Sequence, residues 1–315
     1  MKRFVFFSHY DSDGLVDEYV LRYLQALIDG GVEKLLFASD SLLKDGERDK
    51  LPEMVEWVCA APHGEYDFGS WKRCFLALES GALETYDELI LCNDSCYSAL
   101  QPLSQVFDKM NGRDCDFWGI TQVETMGGYY PSYFLAFRRS VLMWPGLVEF
   151  FAKVGSFTNK EEFCMQYEVG LNRLMEKQGF RGDCFLSQYK NLCHSSSQVM
   201  TDEVFRAGMP FIRVVTARSN PGGIASLGQK LAKICKESGY PLEIIENHLE
   251  RTSPGYRKYW SYRIADQTSS YLGIIKVRTK PNPKKDRYRL KVWLLGMPLV
   301  TVSLPMRYEE HEDRR

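Results

Sequence analysis

The run His9-Tyr10-Asp11-Ser12-Asp13-Gly14 follows directly on an apolar segment from Lys2 to Ser8. Its imidazole and carboxylates are residue types that hold metal ions or hydrogen-bond a hydroxyl-rich ligand. Metal-dependent phosphoester hydrolysis through such a run requires further carboxylate and histidine ligands, because two ions must be fixed about 4 Å apart. No Asp-His-His or Asp-x-Asp-His sequence follows and the chain has only 5 histidines, so that chemistry is disfavoured. The plain structural alternative is a helix-entry turn in which Asp13 caps the next helix.

A second constellation joins Tyr66-Asp67-Phe68-Gly69-Ser70-Trp71-Lys72 to Asn93-Asp94-Ser95, which ends the apolar stretch Glu88–Cys92. A glycine where backbone approaches a ligand, a lysine for a diphosphate and a carboxylate just past a buried strand are what a nucleotide-sugar site needs. A divalent cation would bridge the diphosphate oxygens and offset charge on the leaving group, with Asp94 as its natural ligand. A single Asp after a strand also forms turns, and the local pattern leaves both readings open. Glu168 opens a helical stretch with Val169, Leu171, Leu174 and Met175, and a carboxylate there could take a proton from an acceptor hydroxyl or sit on a solvated helix face. Trp118 could stack on a sugar ring or fill the core, and Asp116 is a second acidic candidate. Arg138 and Arg139 could meet phosphate, whereas Cys92 and Cys96 read as buried thiols.

The elements that must position these residues are legible as hydrophobic periodicity. Lys2–Ser8, with its Phe-Val-Phe-Phe centre, predicts a strand buried on both faces of a parallel sheet. Val16, Tyr19, Val20, Tyr23, Leu24 and Leu27 form a helical stripe stopped by Gly30-Gly31, and Lys34–Ala38 is the next strand, ending at Ser39-Asp40. A helix is expected from Ser70 to Leu78, a strand over Glu88–Cys92, and a helix started by Pro102. Strands follow at Asp116–Thr121 and Tyr133–Phe137, then a long helix from Lys160 to Gln178. Polar residues at strand ends are where open α/β sheets bind ligands.

Asn220-Pro221-Gly222-Gly223 is a strong breaker, followed by two helical patterns without further strand–helix alternation. The expected organisation is a catalytic or binding domain over residues 1–215 and a smaller helical appendage over 216–315 ending in a basic, apolar, hairpin-like tail. Between Arg278 and Lys291 lie seven basic residues and one acid, beside Val292-Trp293-Leu294-Leu295. That patch suits peripheral contact with an anionic membrane, or else a solvated hairpin.

Across all 315 residues, 40 basic side chains balance 41 acidic ones, and no global field argues for a nucleic-acid partner. With 44% apolar residues the chain can bury a sizeable core. The odd count of 9 scattered cysteines without a CxxC pair, and an apolar amino-terminal segment too short for a secretory leader, read as a cytoplasmic protein with reduced thiols. The apolar run Val292–Leu304 is broken by Gly296 and Pro298 and falls short of the roughly 20 residues that span a bilayer.

The stretches FSHYDSDGLVDEYVLRYLQAL, YDFGSWK, YDELILCNDSCYSALQPL, CDFWGIT, SYFLAFRRSVL and YEVGLNRLMEKQGF, in this order from about Phe6 to Val215, resemble the rhamnan synthesis protein F family of bacterial polysaccharide glycosyltransferases. The resemblance implies a GT-A-like α/β fold, a mostly parallel sheet flanked by helices. It implies inverting transfer of a sugar, commonly L-rhamnose from dTDP-L-rhamnose, onto a growing cell-surface polysaccharide or lipid-linked glycan. It places His9, Tyr10, Asp11 and Asp40 at the nucleoside, Gly69 and Lys72 at the diphosphate, Asp67 and Trp118 at the donor, and Glu168 as the base. Asn93-Asp94-Ser95 stands where such enzymes carry Asp-x-Asp, so Asp94 becomes the sugar or metal residue. His194 is a second ligand for manganese or magnesium. One carboxylate instead of two also motivates a contrasting expectation, a non-catalytic module on the same fold that binds glycan or partner enzymes.

Overall fold

A computed structural model of the chain describes residues 1–123, 128–157, 159–189, 202–261, 269–271, 275–282, 287–294 and 297–305. The chain divides into two compact units, one holding Met1–Ser195 and Glu203–Phe211, the other Ser196–Asp202 and Ile212–Arg315.

The first unit is built on strand β1 (Arg3–His9), every residue of which is buried. Alternation sends Phe4 and Phe6 to one face and Phe7 to the other. Phe6 packs edge-on against Phe75 at 5.0 Å, while Phe7 meets Tyr23 at 5.3 Å, so the unbroken apolar run is explained by helices on both faces. Strands β2 (Val32–Ser39), β3 (Val55–Ala60) and β4 (Glu88–Asn93) are joined by β5 (Phe117–Gly119), β6 (Phe134–Arg138) and β7 (Gly182–Cys184). They form one seven-stranded sheet in the order β3-β2-β1-β4-β6-β5-β7. All neighbours are parallel except β6, which runs antiparallel to β4 and β5. The fold is therefore α/β with a mostly parallel sheet flanked by helices.

Helix α1 (Glu18–Asp29) buries Tyr19, Val20, Tyr23, Leu24 and Leu27, the stripe its spacing predicts. Its N-cap is Asp17 rather than Asp13, whose N–H instead donates to Asp11 Oδ1 at 2.9 Å. Helix α2 (Tyr66–Leu76) lies on the opposite face with α4 (Pro145–Ala152), and Phe68, Trp71 and Phe75 form an aromatic cluster with Phe151, Phe163 and Tyr167. It starts four residues earlier than the apolar pattern indicates, which puts Asp67 in its first turn. Strand β3 has no counterpart in the expected elements; as an edge strand its residues are mostly half-exposed, and its pattern is weak.

The predicted helix from Lys160 to Gln178 is present with a wide turn inside it: α5 (Lys160–Phe163), a π-helical segment (Cys164–Val169) and α6 (Gly170–Lys177). Helix α3 (Leu103–Asn111) follows Pro102, its N-cap.

In the second unit, α7 (Leu227–Ser238) buries Leu227, Leu231, Ile234 and Cys235, and α8 (Leu242–Thr252) buries Ile244, Ile245, His248 and Leu249. The expected breaker is a left-handed Asn220, whose side-chain amide bridges Ile224 and Tyr259. Strands β8 (Ser269–Tyr271), β9 (Ile275–Asn282), β10 (Arg287–Leu294) and β11 (Met297–Pro305) form an antiparallel sheet in chain order. The closing segment Arg307–Arg315 lies outside the described residues. Among the described residues no helix is long and apolar enough to cross a membrane.

Candidate functional site

From β1 the connected strands step outward to β2 and β3 on one side, while β4 lies on the other. The point where strand order reverses leaves a crevice at the carboxyl ends of β1 and β4, the general ligand position of open α/β sheets. We call this end of the sheet the crown. The register sets Ser8 beside Asn93 and His9 beside Ser39, so the polar residues ending three strands are neighbours.

Asp94, Asp67 and Asp11 lie at the β1–β4 end of the sheet, near enough for the last two to act electrostatically on the first. Asp94 accepts from the Tyr10 N–H at 2.7 Å, and its own N–H donates to Ser8 O at 3.1 Å. Burial holds the Asp94 carboxyl well above the ordinary carboxylate range, and the negative charges of Asp67 and Asp11 add to that effect against the Tyr10 N–H, which favours the charged form. Asp67 accepts from Asn93 Nδ2 at 2.8 Å and from Ser8 Oγ at 3.4 Å. Asp11 accepts at Oδ1 from the N–H groups of Asp13 and Leu15, which ties down the loop after β1. Gly14 closes that loop at φ +68°, where a Cβ would strike Leu42 O. Asn93 Oδ1 accepts from Ser95 N and Oγ. Tyr10 is 63% exposed, an aromatic ring at the rim.

Asp40 belongs to a neighbouring pocket of hydrogen bonds past β2. It accepts from the N–H of His63 at 2.5 Å and of Gly64 at 2.9 Å. His63 Nε2 lies 3.1 Å from Ser70 Oγ, and Nδ1 accepts from Glu65 N at 3.1 Å. That acceptance places the ring proton on Nε2, and burial pushes the His63 pKa down. Ser70, His63 and Asp40 have the order of a nucleophilic triad, but Ser70 is fully buried and Nδ1 is already an acceptor, so the histidine is not set up as its base. His9 Nδ1 is 2.9 Å from Ser39 Oγ and braces β1 against β2.

Glu168 sits in the π-helical turn, a device that re-aims side chains and recurs at functional sites. Its Oε1 accepts from Ser132 N at 2.6 Å, and its carbonyl accepts from Asn172 Nδ2 at 2.8 Å. Burial and then the charge of Glu168 push the Cys164 thiol of this turn up to about 11, and Asp67 contributes in the same direction. Lys160 acts on the same thiol with the opposite sign, and its ammonium lies 5.7 Å from the centroid of the Tyr66 ring. Tyr66 itself has φ +50°, strained backbone at the start of α2.

Three expectations need correction on geometry. Trp118 is fully buried between Phe107 and Phe134, with Nε1 donating to Glu88 Oε1 at 2.7 Å, so it fills the core and meets no ligand. Gly69 lies inside α2, where a Cβ would collide with Glu65; it serves close packing, not a ligand-facing loop. Lys72 donates to Val154 O at 2.6 Å and faces Glu65 Oε1 at 3.5 Å, which anchors α2 to the segment after α4 and commits the amine to partners within the fold.

The other described candidates have partners within the fold. Asp116 accepts from Ser140 Oγ and Arg181 N, Arg138 donates to the carbonyls of Arg113 and Met110, and Arg139 donates to Glu84 O. Cys92 and Cys96 are buried free thiols. His194 lies outside the described residues. Among the described residues no three His, Cys, Asp or Glu side chains converge as a metal site. Tyr19, expected only as a core residue, belongs to the crown: burial and then the Asp94 charge push its hydroxyl well above the ordinary phenol range.

Fold and site together define an α/β protein with acidic side chains at the strand ends where strand order reverses. The chain belongs to the rhamnan synthesis protein F family, which it matches over residues 35–272. No curated protein matches it. Solved structures show distant likeness. One from Desulfovibrio desulfuricans, described as a nucleotide-diphospho-sugar transferase, is 15% identical with a TM-score of 0.34 over 58% of this chain and 79% of that one. A cytidylyltransferase from Leptospira borgpetersenii is 10% identical with a TM-score of 0.37 over 86% of this chain and 100% of that one. A 4-diphosphocytidyl-2C-methyl-D-erythritol synthase from Anaerococcus prevotii is 10% identical with a TM-score of 0.32, covering 52% and 82%.

Proposed function

We propose that the chain is a nucleotide-sugar-dependent glycosyltransferase of cell-surface polysaccharide synthesis, moving L-rhamnose from dTDP-L-rhamnose onto a growing or lipid-linked glycan with inversion. The observation that carries this reading is the set of hydrogen-bonding carboxylates and amides, Asp11, Asp67, Asn93 and Asp94, at the β1–β4 crevice. Membership in a rhamnan-synthesis family supports the glycosyltransferase class.

In this reading the sugar hydroxyls donate to Asp94 and Asp67, and Tyr10 covers the nucleoside at the rim. Asp11 keeps the loop after β1 in place, and Asp40 keeps the chain after β3 in place. Lys160 takes the charge-balancing role first expected of Lys72. Glu168, fixed by Ser132 N–H, accepts the proton of the acceptor hydroxyl as its oxygen attacks the anomeric carbon. The bond from that carbon to the diphosphate oxygen breaks on the opposite face, dTDP departs with the electron pair, and the anomeric configuration inverts. Manganese or magnesium held by Asp94 is a further proposal that enters no step.

The test is release of dTDP when the purified chain is given dTDP-L-rhamnose with lipid-linked acceptor glycan. The expected result is acceptor-dependent release, abolished in Glu168→Gln. Tight donor binding without release in any condition would instead identify the non-catalytic module.

A further inference from the structure

The second unit carries an unusual ladder. In the β9–β10 register Arg278 lies opposite Lys291, Lys280 opposite Arg289, Asn282 opposite Arg287 and Lys276 opposite Trp293. Alternate positions of a strand share one face, so Lys276, Arg278, Lys280, Arg287, Arg289 and Lys291 all belong to the same face of the sheet. On β11 the positions paired with Lys291 and Arg289 are Thr301 and Ser303, and none of the four strands contains an acidic residue. The other face holds Ile275, Val277, Leu290, Val292, Val300 and Val302, of which Val292 is half-buried.

Like charges directly opposite each other on neighbouring strands are about 4.5–5.5 Å apart at Cβ and destabilise the pairing. Two such pairs side by side, in a chain whose overall charge is close to neutral, concentrate cations on one face of the sheet. An anionic surface offsets that repulsion. We propose that this face of the β8–β11 sheet is a docking surface for an anionic lipid bilayer. A register-spaced row of cations suits an anionic headgroup surface, and Trp293 at its end is a residue type that settles at the membrane–water interface. The inference stands apart from the donor reading, because it uses no residue of the crown.

The experiment is co-sedimentation of the full chain with vesicles of phosphatidylcholine alone or with 30% phosphatidylglycerol, at low and high salt. The expected result is binding to the anionic vesicles only, weakened by salt. Each cation at such a surface contributes about fivefold in affinity, so the variant Arg278→Thr, Lys280→Thr, Arg289→Thr, Lys291→Thr should bind several hundredfold more weakly. Threonine suits a strand and removes both repulsive pairs, so the variant should melt no lower than the parent without vesicles. Equal binding to neutral vesicles, undiminished binding by the folded variant, or binding to a DNA duplex but to neither vesicle would each overturn the proposal.

Discussion

The two ends of the seven-stranded sheet handle buried charge in opposite ways. At the base, Arg3 Nε donates to Glu88 Oε2 at 2.8 Å, Arg3 Nη2 to Asn111 Oδ1 at 2.6 Å, and Trp118 Nε1 to Glu88 Oε1 at 2.7 Å. The Arg3 guanidinium also lies 4.3 Å from the Phe107 ring centroid. At the crown, the strongest influences on Asp94 are burial, one backbone N–H and the like charges of Asp67 and Asp11. The base thus answers each charge with an opposite one and holds the strands together. The crown instead sets like charges near a carboxyl that burial already holds protonated more tightly, an arrangement that clusters at functional sites.

The contrast predicts which changes remove activity and which remove stability. The largest effect is on the reaction: Glu168→Gln should lower transfer by about 10²–10⁴-fold while the donor dissociation constant stays unchanged, checked by steady-state kinetics beside calorimetric titration. A parallel loss of donor binding would show that Glu168 belongs to the donor pocket instead. Next, Arg3→Met removes the hydrogen-bonded cation from the buried Glu88 carboxylate, leaving it the Trp118 N–H and Arg138 Nε at 3.9 Å, and should cost about 3–5 kcal/mol in urea unfolding at pH 7. If the base is purely structural, donor affinity per folded molecule is untouched.

Trp118→Phe keeps most of the ring and removes one hydrogen bond to a charged partner, a cost of about 1.5–3 kcal/mol by the same measurement, again with donor affinity unchanged. The smallest effect has the opposite sign. Because the folded state raises the Asp94 pKa, the folded chain binds that proton more tightly than the unfolded chain. Stability from this group is therefore lost as pH rises from the unfolded carboxyl value, about 3.9, through the folded one. Asp94→Asn should consequently melt higher than the parent at pH 7, and the difference should shrink as pH falls toward 4. An unchanged melting temperature at both pH values would mean that the folded state does not raise the Asp94 pKa.

How much of this was readable beforehand depends on the range of the interactions. Phe4 to Phe7 and Leu89 to Leu91 announce buried parallel strands because burial on both faces leaves an unbroken apolar run, and the crown followed from the polar residues that end those runs. The start of α2 was hidden because Tyr66 is strained and Gly69 looks like a loop residue, although it is packed against Glu65. The wide turn under Glu168 has no local composition signal. Trp118 was ambiguous until its partner appeared 30 residues earlier in the chain, at Glu88. Tyr19 and His63 escaped notice for the same reason: what makes them polar participants is the proximity of Asp94 and Asp40, which only the folded sheet provides.

The central claim is that the crown binds a nucleotide sugar. Its most direct test is a thermal-shift series with dTDP, UDP, GDP, CMP and their sugars, with and without manganese, on the parent chain and on Asp94→Asn. A ligand at 100 times its dissociation constant stabilises the folded state by about 2.7 kcal/mol, a readily measured shift. The account predicts selective stabilisation by dTDP-L-rhamnose that Asp94→Asn reduces, while a manganese dependence would assign the cation to Asp94. Absence of a shift with every nucleotide and nucleotide sugar, or an equal shift in the variant, would contradict it.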